Sequence, residues 1–358
     1  MIIGMIGARG TVPTSEIATV SFLINNRYLF ECPSEIVQSF HKFQKEWSKI
    51  PNSSVSSEIS ALGRPTFGKI KYIILSHLHY DHWGGLPHII HRIMLLEKEM
   101  RKNQPLRLIV PKNSTIPFQQ RTKQMFEDST LDYPLPDDEF LYRFLTIKVG
   151  YSVREVLQII VIEDGETILL DYGYSLSGKE NKHLPSGSFS YKLEHKKAKL
   201  KVKKAKEMGI PFNRTLKRIE KSRNTVNVGN QRVQRKDIFF DLKTIICYSG
   251  DTQVDPDLFE FFKDCQILIH EATYLKQHES YHLDTHSDVE SLIDETRALL
   301  DIRALIPIHF STRYKDEELT NFLSSLPKES YQLINPVEIS IIQIKSDNTL
   351  VLVKRGEI

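Results

Sequence analysis

Cysteine is scarce in this chain: three residues in 358, Cys32, Cys247 and Cys265, with no Cys-x-x-Cys spacing. An odd, scattered set argues against a disulfide framework and for a reducing compartment. The first ten residues lack a charged start followed by a long apolar segment, so no signal peptide is expected. No apolar run approaches the ~20 residues of a membrane span. The expectation is a soluble, cytoplasmic protein that does not engage a membrane. Acidic residues are heavily outnumbered in one long segment. From Lys192 to Lys236 there are 16 Lys and Arg against three acids, Glu194, Glu207 and Glu220. The net charge of +3 therefore conceals a basic segment of +13 on a body of −10. Such asymmetry points to a polyanionic partner. Aromatics are also few in this segment, so it should project as an arm without a core of its own. Elsewhere apolar residues suffice. They make up 40% of the chain, and the length suits one large α/β sandwich with an insertion, or two domains.

What is plentiful is histidine, concentrated at one place. Ser76-His77-Leu78-His79-Tyr80-Asp81-His82-Trp83-Gly84-Gly85 puts three imidazoles and a carboxylate within six residues. The run Ile70 to Leu75 before it is apolar and β-prone, a buried strand that ends where the polar side chains begin. In an extended segment His77, His79 and Asp81 project to one side and His82 to another, so one loop can serve two metal ions. Neutral imidazole and carboxylate are ligands for Zn²⁺, Fe or Mn²⁺. Gly84-Gly85 allows a tight turn into a helix from Leu86.

Along the chain, Met1 to Gly7 and Thr19 to Phe30 read as the first strands, with Asn25-Asn26 as a hairpin turn. Ile36, Val37, Phe40, Phe43 and Trp47 keep helical spacing. Pro51 to Gly68 reads as a long surface loop. Arg107 to Val110 is a strand, Ser114 to Glu127 a helix, and Ile147 to Leu170 two or three further strands turning at Asp164-Gly165. His183 is a second candidate ligand. The basic segment combines a Lys-rich helical stretch, a breaker at Met208 to Pro211, and a hairpin around Gly229-Asn230. Thereafter strand–loop–helix units deliver polar residues at strand ends: Gly250-Asp251-Thr252, His270-Glu271-Ala272-Thr273 and His309-Phe310-Ser311. Ligand sites of layered α/β folds lie at such ends. Ser287 and Glu290 have capping-box spacing. Val337 to Lys354 reads as closing strands.

The His77 to His82 stretch resembles the signature of the metallo-β-lactamase superfamily. The resemblance implies an α/β fold, the metallo-β-lactamase αββα sandwich, with a two-metal site at one sheet edge and here an inserted basic arm. The later motifs narrow it. Gly250-Asp251-Thr252, His270 to Thr273, His286-Ser287 and His309-Phe310-Ser311-x-Arg313-Tyr314 resemble the ribonuclease Z family of tRNA 3′-processing endonucleases. So do His183 followed by Pro185-Ser186 and Tyr191, and Lys204-Ala205 with Gly209-Ile210-Pro211. This resemblance implies residues 1–191 as the first part of the catalytic domain, 192–237 as the arm and 238–358 as its second part.

By the same resemblance, His77, His79, His183 and Asp251 hold one Zn²⁺, and Asp81, His82, Asp251 and His309 a second, two per chain. A metal lowers the pKa of its water from about 15.7 to about 7, which gives a nucleophile for a phosphodiester at neutral pH. Asp81 would orient or deprotonate that water, and His286 would protonate the leaving 3′ oxygen. His270 and Glu271 would support the ligands through hydrogen bonds. The arm residues Lys196, Lys197, Lys199, Lys201, Lys203, Lys204, Lys206, Arg214, Lys217 and Arg218 would bind precursor tRNA, in a homodimer whose arms each serve the other subunit's site. The chain departs from the family after the first hairpin (Glu31-Cys32-Pro33-Ser34-Glu35), at Asp288, and at Phe212-Asn213-Arg214 in the arm. Two other functions fit the superfamily: a phosphodiesterase or arylsulfatase-like hydrolase of a small substrate, or an RNA-binding paralogue without catalysis.

Overall fold

Alternation along the first strand, Ile2–Arg9, sets the architecture. All eight residues are buried. Ile2 and Ile6 pack into one apolar cluster, Ile3 and Met5 into another. A strand covered on both faces must lie inside a layered structure. The computed structural model describes residues 1–15, 17–50, 57–122, 134–183, 187–222, 225–276, 285–345 and 349–354.

The first sheet runs, in spatial order, Leu350–Lys354, Ile339–Ile344, Ile2–Arg9, Ser21–Ile24, Tyr28–Phe30, Tyr72–Ile74, Leu106–Pro111 and Leu157–Ile162, with Ala18–Thr19 paired beside the first strand. The second runs Gln332–Leu333, Ala304–Ile308, Ile267–Glu271, Phe239–Tyr248, Phe189–Leu200, Tyr174–Glu180 and Thr167–Leu169. Their inner faces meet through Phe22, Phe30, Tyr191 and Tyr248, with Phe22 stacked on Phe30 at 4.6 Å and edge-on to Tyr248 at 5.2 Å. Helices Ile36–Lys49, Leu86–Leu96 and Asp137–Val149 cover the outer face of the first sheet. Helices Pro256–Phe261, Val289–Leu299 and Asp316–Ser325 cover the second. The layers are helix, sheet, sheet, helix, the αββα sandwich expected.

Several local expectations change. The loop assigned to 51–68 contains a helix, Ser57–Leu62, and a helical turn, Phe67–Lys69; residues 51–56 lie outside the described residues. The helix placed at 114–127 is seen over Ile116–Thr122, and its remainder also lies outside them. Residues 147–149 end the helix Asp137–Val149 rather than begin a strand. The cap of Val289–Leu299 is Asp288, whose carboxylate accepts from the Ser291 amide at 2.8 Å; Ser287 bonds instead to the Thr252 carbonyl.

The basic segment differs most. Its first nine residues are not helical, and the expected Lys-rich helix is confined to Val202–Glu207, ending at the expected breaker. Lys192 to Leu200 continue the strand Phe189–Leu200, paired residue by residue with Phe239–Tyr248 from Tyr191↔Tyr248 to Leu200↔Phe239. Beyond this ladder lie helices Val202–Glu207, Arg214–Lys221 and Arg235–Ile238 and a hairpin, Val226–Val228 with Gln231–Val233. They enclose a small core of Ala205, Ile210, Ile219, Val226, Val233, Ile238 and Phe239. The arm thus has a core after all, aliphatic but for Phe239.

Candidate metal centre

The polar strand ends converge at one edge of the sandwich. After Tyr72–Ile74 the chain bends at Ser76, is extended at His79, then enters a helical turn, Tyr80–Trp83. Asp81 and His82 therefore project from a helical turn, not from an extended run. Gly85 follows because no side chain fits: a Cβ there would stand 2.1 Å from the Pro33 carbonyl oxygen. Asp251 follows Tyr248 through Gly250, whose φ of +60° and close approach to Phe189 exclude other residues. His309 ends Ala304–Ile308 with φ of +65°, a strained conformation held by pairing of Phe310 with Ala8 and Gly10. His183 precedes the strand from Phe189. Its Nδ1 faces the Thr285 carbonyl at 3.1 Å, and Asn181 bonds to its amide and to the Ser249 carbonyl.

Among the described residues three groups of potential ligands result: the smallest is Glu271, His286 and His309, and the other two have four members each. His77, His79, His183 and Asp251 form one, and Asp81, His82, Asp251 and His309 the other; within each, one ligand atom per residue lies within 4.8 Å of the rest. Asp251 belongs to both. Its Oδ2 lies 3.1 Å from His309 Nε2, 3.2 Å from His82 Nε2, and 3.9 Å from both His77 and His183 Nε2. Asp81 Oδ2 lies 3.5 Å from His309 Nε2 and 3.6 Å from His82 Nε2. The structure thus brings together all seven residues singled out in the sequence.

A metal pair fits this arrangement. Nε2 of His77, His82 and His309 are buried and have no hydrogen-bond partner, although buried imidazole nitrogens are ordinarily satisfied. Two of these rings are oriented through the other nitrogen: His77 Nδ1 lies 2.9 Å from Ser76 Oγ, and His309 Nδ1 2.9 Å from Thr273 Oγ1. Such outer bonds fix the ring and tautomer of a ligating histidine. Electrostatics agree. Burial, with neighbouring imidazoles, pulls His77 well below its ordinary pKa and His79 down to about 4. Burial lowers His183 too. These rings are neutral at pH 7, as ligands must be. Burial pushes Asp81 upward, but His82 and His309 overcome it and bring the carboxyl to about 2. Asp251 is likewise held well below the carboxylate range by His309 and His82 against its burial. His82 is pushed well above its usual value despite its burial, because Asp251, Asp81 and Glu31 surround it. The pocket favours positive charge, which a bound cation would supply in place of that proton.

His286 stands beside the second cluster, its ring 5.3 Å from His309 and 5.0 Å from His183. Its Nδ1 lies 3.0 Å from Glu271 Oε1. Burial pulls the imidazole down, but the Glu271 hydrogen bond and charge, with Asp251, lift it to about 9. Glu271 also accepts from the amides of Thr252, Ser287 and Thr273 and from Thr273 Oγ1. His270 instead points away, with Nδ1 at 2.7 Å from the Glu271 carbonyl and its ring among Phe259 and Phe262. One participant carries no sequence motif of its own. Glu31, fully buried with φ of +59°, sets Oε2 3.4 Å from His82 Nδ1, while Oε1 accepts from the Ser76 amide and the Tyr248 hydroxyl. A carboxylate directly after the first hairpin was its only signal.

The ten arm residues singled out in the sequence lie at the surface. Lys196 pairs with Glu194, Lys201 bonds to the Lys236 carbonyl and Arg218 to that of Asn227. Residues 184–186, with the Pro185-Ser186 motif, lie outside the described residues.

The model of the metallo-beta-lactamase superfamily matches residues 68–101. The solved metallo-beta-lactamase fold protein YhfI from Bacillus subtilis aligns with a TM-score of 0.53 at 12% identity, covering 93% of this chain and 94% of that one. The chain therefore has the metallo-β-lactamase fold. Among curated relatives, ribonuclease Z of Methanocaldococcus jannaschii is 26% identical over 291 residues, 78% of this chain and 82% of that protein. Ribonuclease Z of Bacillus subtilis is 26% identical over 254 residues, 70% and 73% of the two. The resemblance to ribonuclease Z read from dispersed motifs is borne out over most of the chain.

Proposed function

We propose that the protein is a zinc-dependent endoribonuclease that removes the 3′ trailer from precursor tRNA and leaves a 3′-hydroxyl. The observation that carries this is the pair of His/Asp clusters sharing Asp251, in a chain similar to ribonuclease Z enzymes over about three quarters of its length. His77, His79, His183 and Asp251 would hold one Zn²⁺, and Asp81, His82, Asp251 and His309 the other. Two such ions supply an activated water near neutral pH and charge stabilisation for the phosphoryl group. Asp81, ionised and half-buried, accepts the proton of the attacking water. His286, kept protonated by Glu271, stands ready to donate to the leaving 3′ oxygen. Glu31 places a negative charge 3.4 Å from His82 Nδ1.

The arm would bind the tRNA body, as an insert of residues 192–237 in a catalytic domain of 1–191 and 238–358. Tyr191↔Tyr248 lie at the metal end of the ladder and Leu200↔Phe239 at its far end. Nine steps of a strand span roughly 30 Å. The arm thus leaves the sheet well away from its own metal centre. This supports a homodimer in which each arm serves the partner's site. The three cysteines, all buried and free, fit a cytoplasmic protein; among the described residues no helix is long and apolar enough to cross a membrane.

The reading is tested with end-labelled precursor tRNA and the purified protein. A trailer released at one position, a 3′-hydroxyl on the tRNA, and loss of cleavage with chelator are expected. Hydrolysis of small phosphodiesters with no action on precursor tRNA would favour the small-substrate hydrolase instead.

A further inference from the structure

The open side of the metal centre carries an aromatic side chain that none of the chemistry above uses. Five of the seven clustered residues are buried, whereas His79 is exposed and Asp81 half-buried. Among the cluster residues, the segment His79 to Asp81 is therefore the part open to solvent. Between these two stands Tyr80, 67% exposed in a stretch where Leu78, His82 and Trp83 are buried. Its ring is not adrift. A Cβ built on Gly84 would meet two Tyr80 ring atoms at 2.9 Å, so the ring rests on the bare backbone of Gly84, one helical turn on. One edge of the ring is supported and the remainder faces solvent beside the centre. Packing does not account for an aromatic there, since a large apolar surface is left in water.

The geometry points to Tyr80 as a stacking platform for the base of a nucleotide next to the scissile phosphate. A base presents a π-face whatever its identity, so stacking tolerates sequence variation while fixing where the chain crosses the metals. Tyr80 is flanked on each side by a residue of the metal clusters, so a base resting on it tethers the adjoining phosphate. Whether that base belongs to the tRNA end or to the trailer is a matter of which strand direction crosses the site, and substrates distinguish the two. The proposal rests on the RNA-cleaving function above, and the test separates them.

Single-turnover cleavage of precursor tRNA is measured with wild type, Tyr80→Phe and Tyr80→Ala, after metal analysis of all three. Tyr80→Phe keeps the ring and should behave as wild type. Tyr80→Ala should raise the half-saturating concentration by about 5- to 150-fold, the range for loss of one base–aromatic stack, with metal content unchanged. Precursors abasic at the nucleotide before or after the cleaved bond complete a cycle. The abasic substrate on the stacked side should lose the same factor with wild type and lose nothing further with Tyr80→Ala. Wild-type affinity in Tyr80→Ala, or penalties that multiply on both abasic substrates, would overturn the stacking role while leaving the endonuclease intact. A wild-type protein that neither binds nor cleaves precursor tRNA would overturn the function itself, and this proposal with it.

Discussion

Replacing Glu271 with Gln tests how the leaving-group proton is held. In the folded protein His286 sits at about 9, against about 6.5 for a free imidazole. The difference corresponds to about 3 kcal/mol of preference for the protonated ring. Glu271 provides most of what lifts it, through its bond to Nδ1 at 3.0 Å and its charge. With the charge gone, the ring returns towards about 6.5. At pH 8 the protonated fraction then falls from about 0.9 to about 0.03, so the cleavage rate should fall by up to about 30-fold. At pH 5.5 both proteins hold the proton, and their rates should converge. Cations at the clusters pull the wild-type limb down from about 9, which narrows the gap without changing its sign. The assay is single-turnover cleavage between pH 5.5 and 9.5, with His286→Ala as the control that should be slower and lack the limb. Coincident alkaline limbs in wild type and Glu271→Gln, or a surviving limb in His286→Ala, would refute the assignment.

Asp81→Ala should abolish cleavage and leave the circular dichroism spectrum unchanged, because one member of a cluster and the proton acceptor go together; metal analysis should show the loss. Gly250→Ala forces a Cβ into a left-handed backbone, 2.7 Å from the Phe189 carbonyl oxygen; it should destabilise by more than about 1 kcal/mol in urea titration and weaken zinc binding. Removing residues 201–238 and joining Leu200 to Phe239 by an Asn-Gly turn should weaken precursor tRNA binding and flatten its salt dependence, by about 0.9 in slope for each phosphate no longer neutralised. Hydrolysis of bis(p-nitrophenyl) phosphate should persist in the same protein, since every cluster residue lies outside the deletion. The metal-free protein should lose stability as pH falls from about 6.5 towards 4. His79 drops to about 4 in the fold, so the unfolded chain binds more protons in that window; thermal melts in chelator measure it.

The metal loop was legible because its chemistry is local. Three imidazoles and a carboxylate in one short segment have few other uses, and the strand before it is largely apolar. Asp251 and His309 were legible only through motifs, since the folding that brings them to Asp81 is long-range. The Lys-rich stretch misled only up to Leu200, because lysine favours helix locally whereas there two neighbouring strands capture the chain and Glu194 pairs with both Lys196 and Lys243; from Val202 to Glu207 it is helical. The arm's core was hidden for a related reason: aliphatic residues scattered singly among charges carry no periodic signal. Phe140, Leu141, Phe144 and Leu145 do keep helical spacing, a signal for the helix Asp137–Val149 that the β-prone stretch after it obscures. Glu31 was visible as a carboxylate but not as a partner of His82, a relation that only the sheet geometry creates.

The most direct measurement is a titration of metal-depleted protein with Zn²⁺, following single-turnover cleavage of end-labelled precursor tRNA and bound zinc in the same samples. The two-cluster site predicts that cleavage rises to its full rate only as the second equivalent binds, and that the product carries a 3′-hydroxyl. Full activity at one equivalent, or none at two, would contradict it.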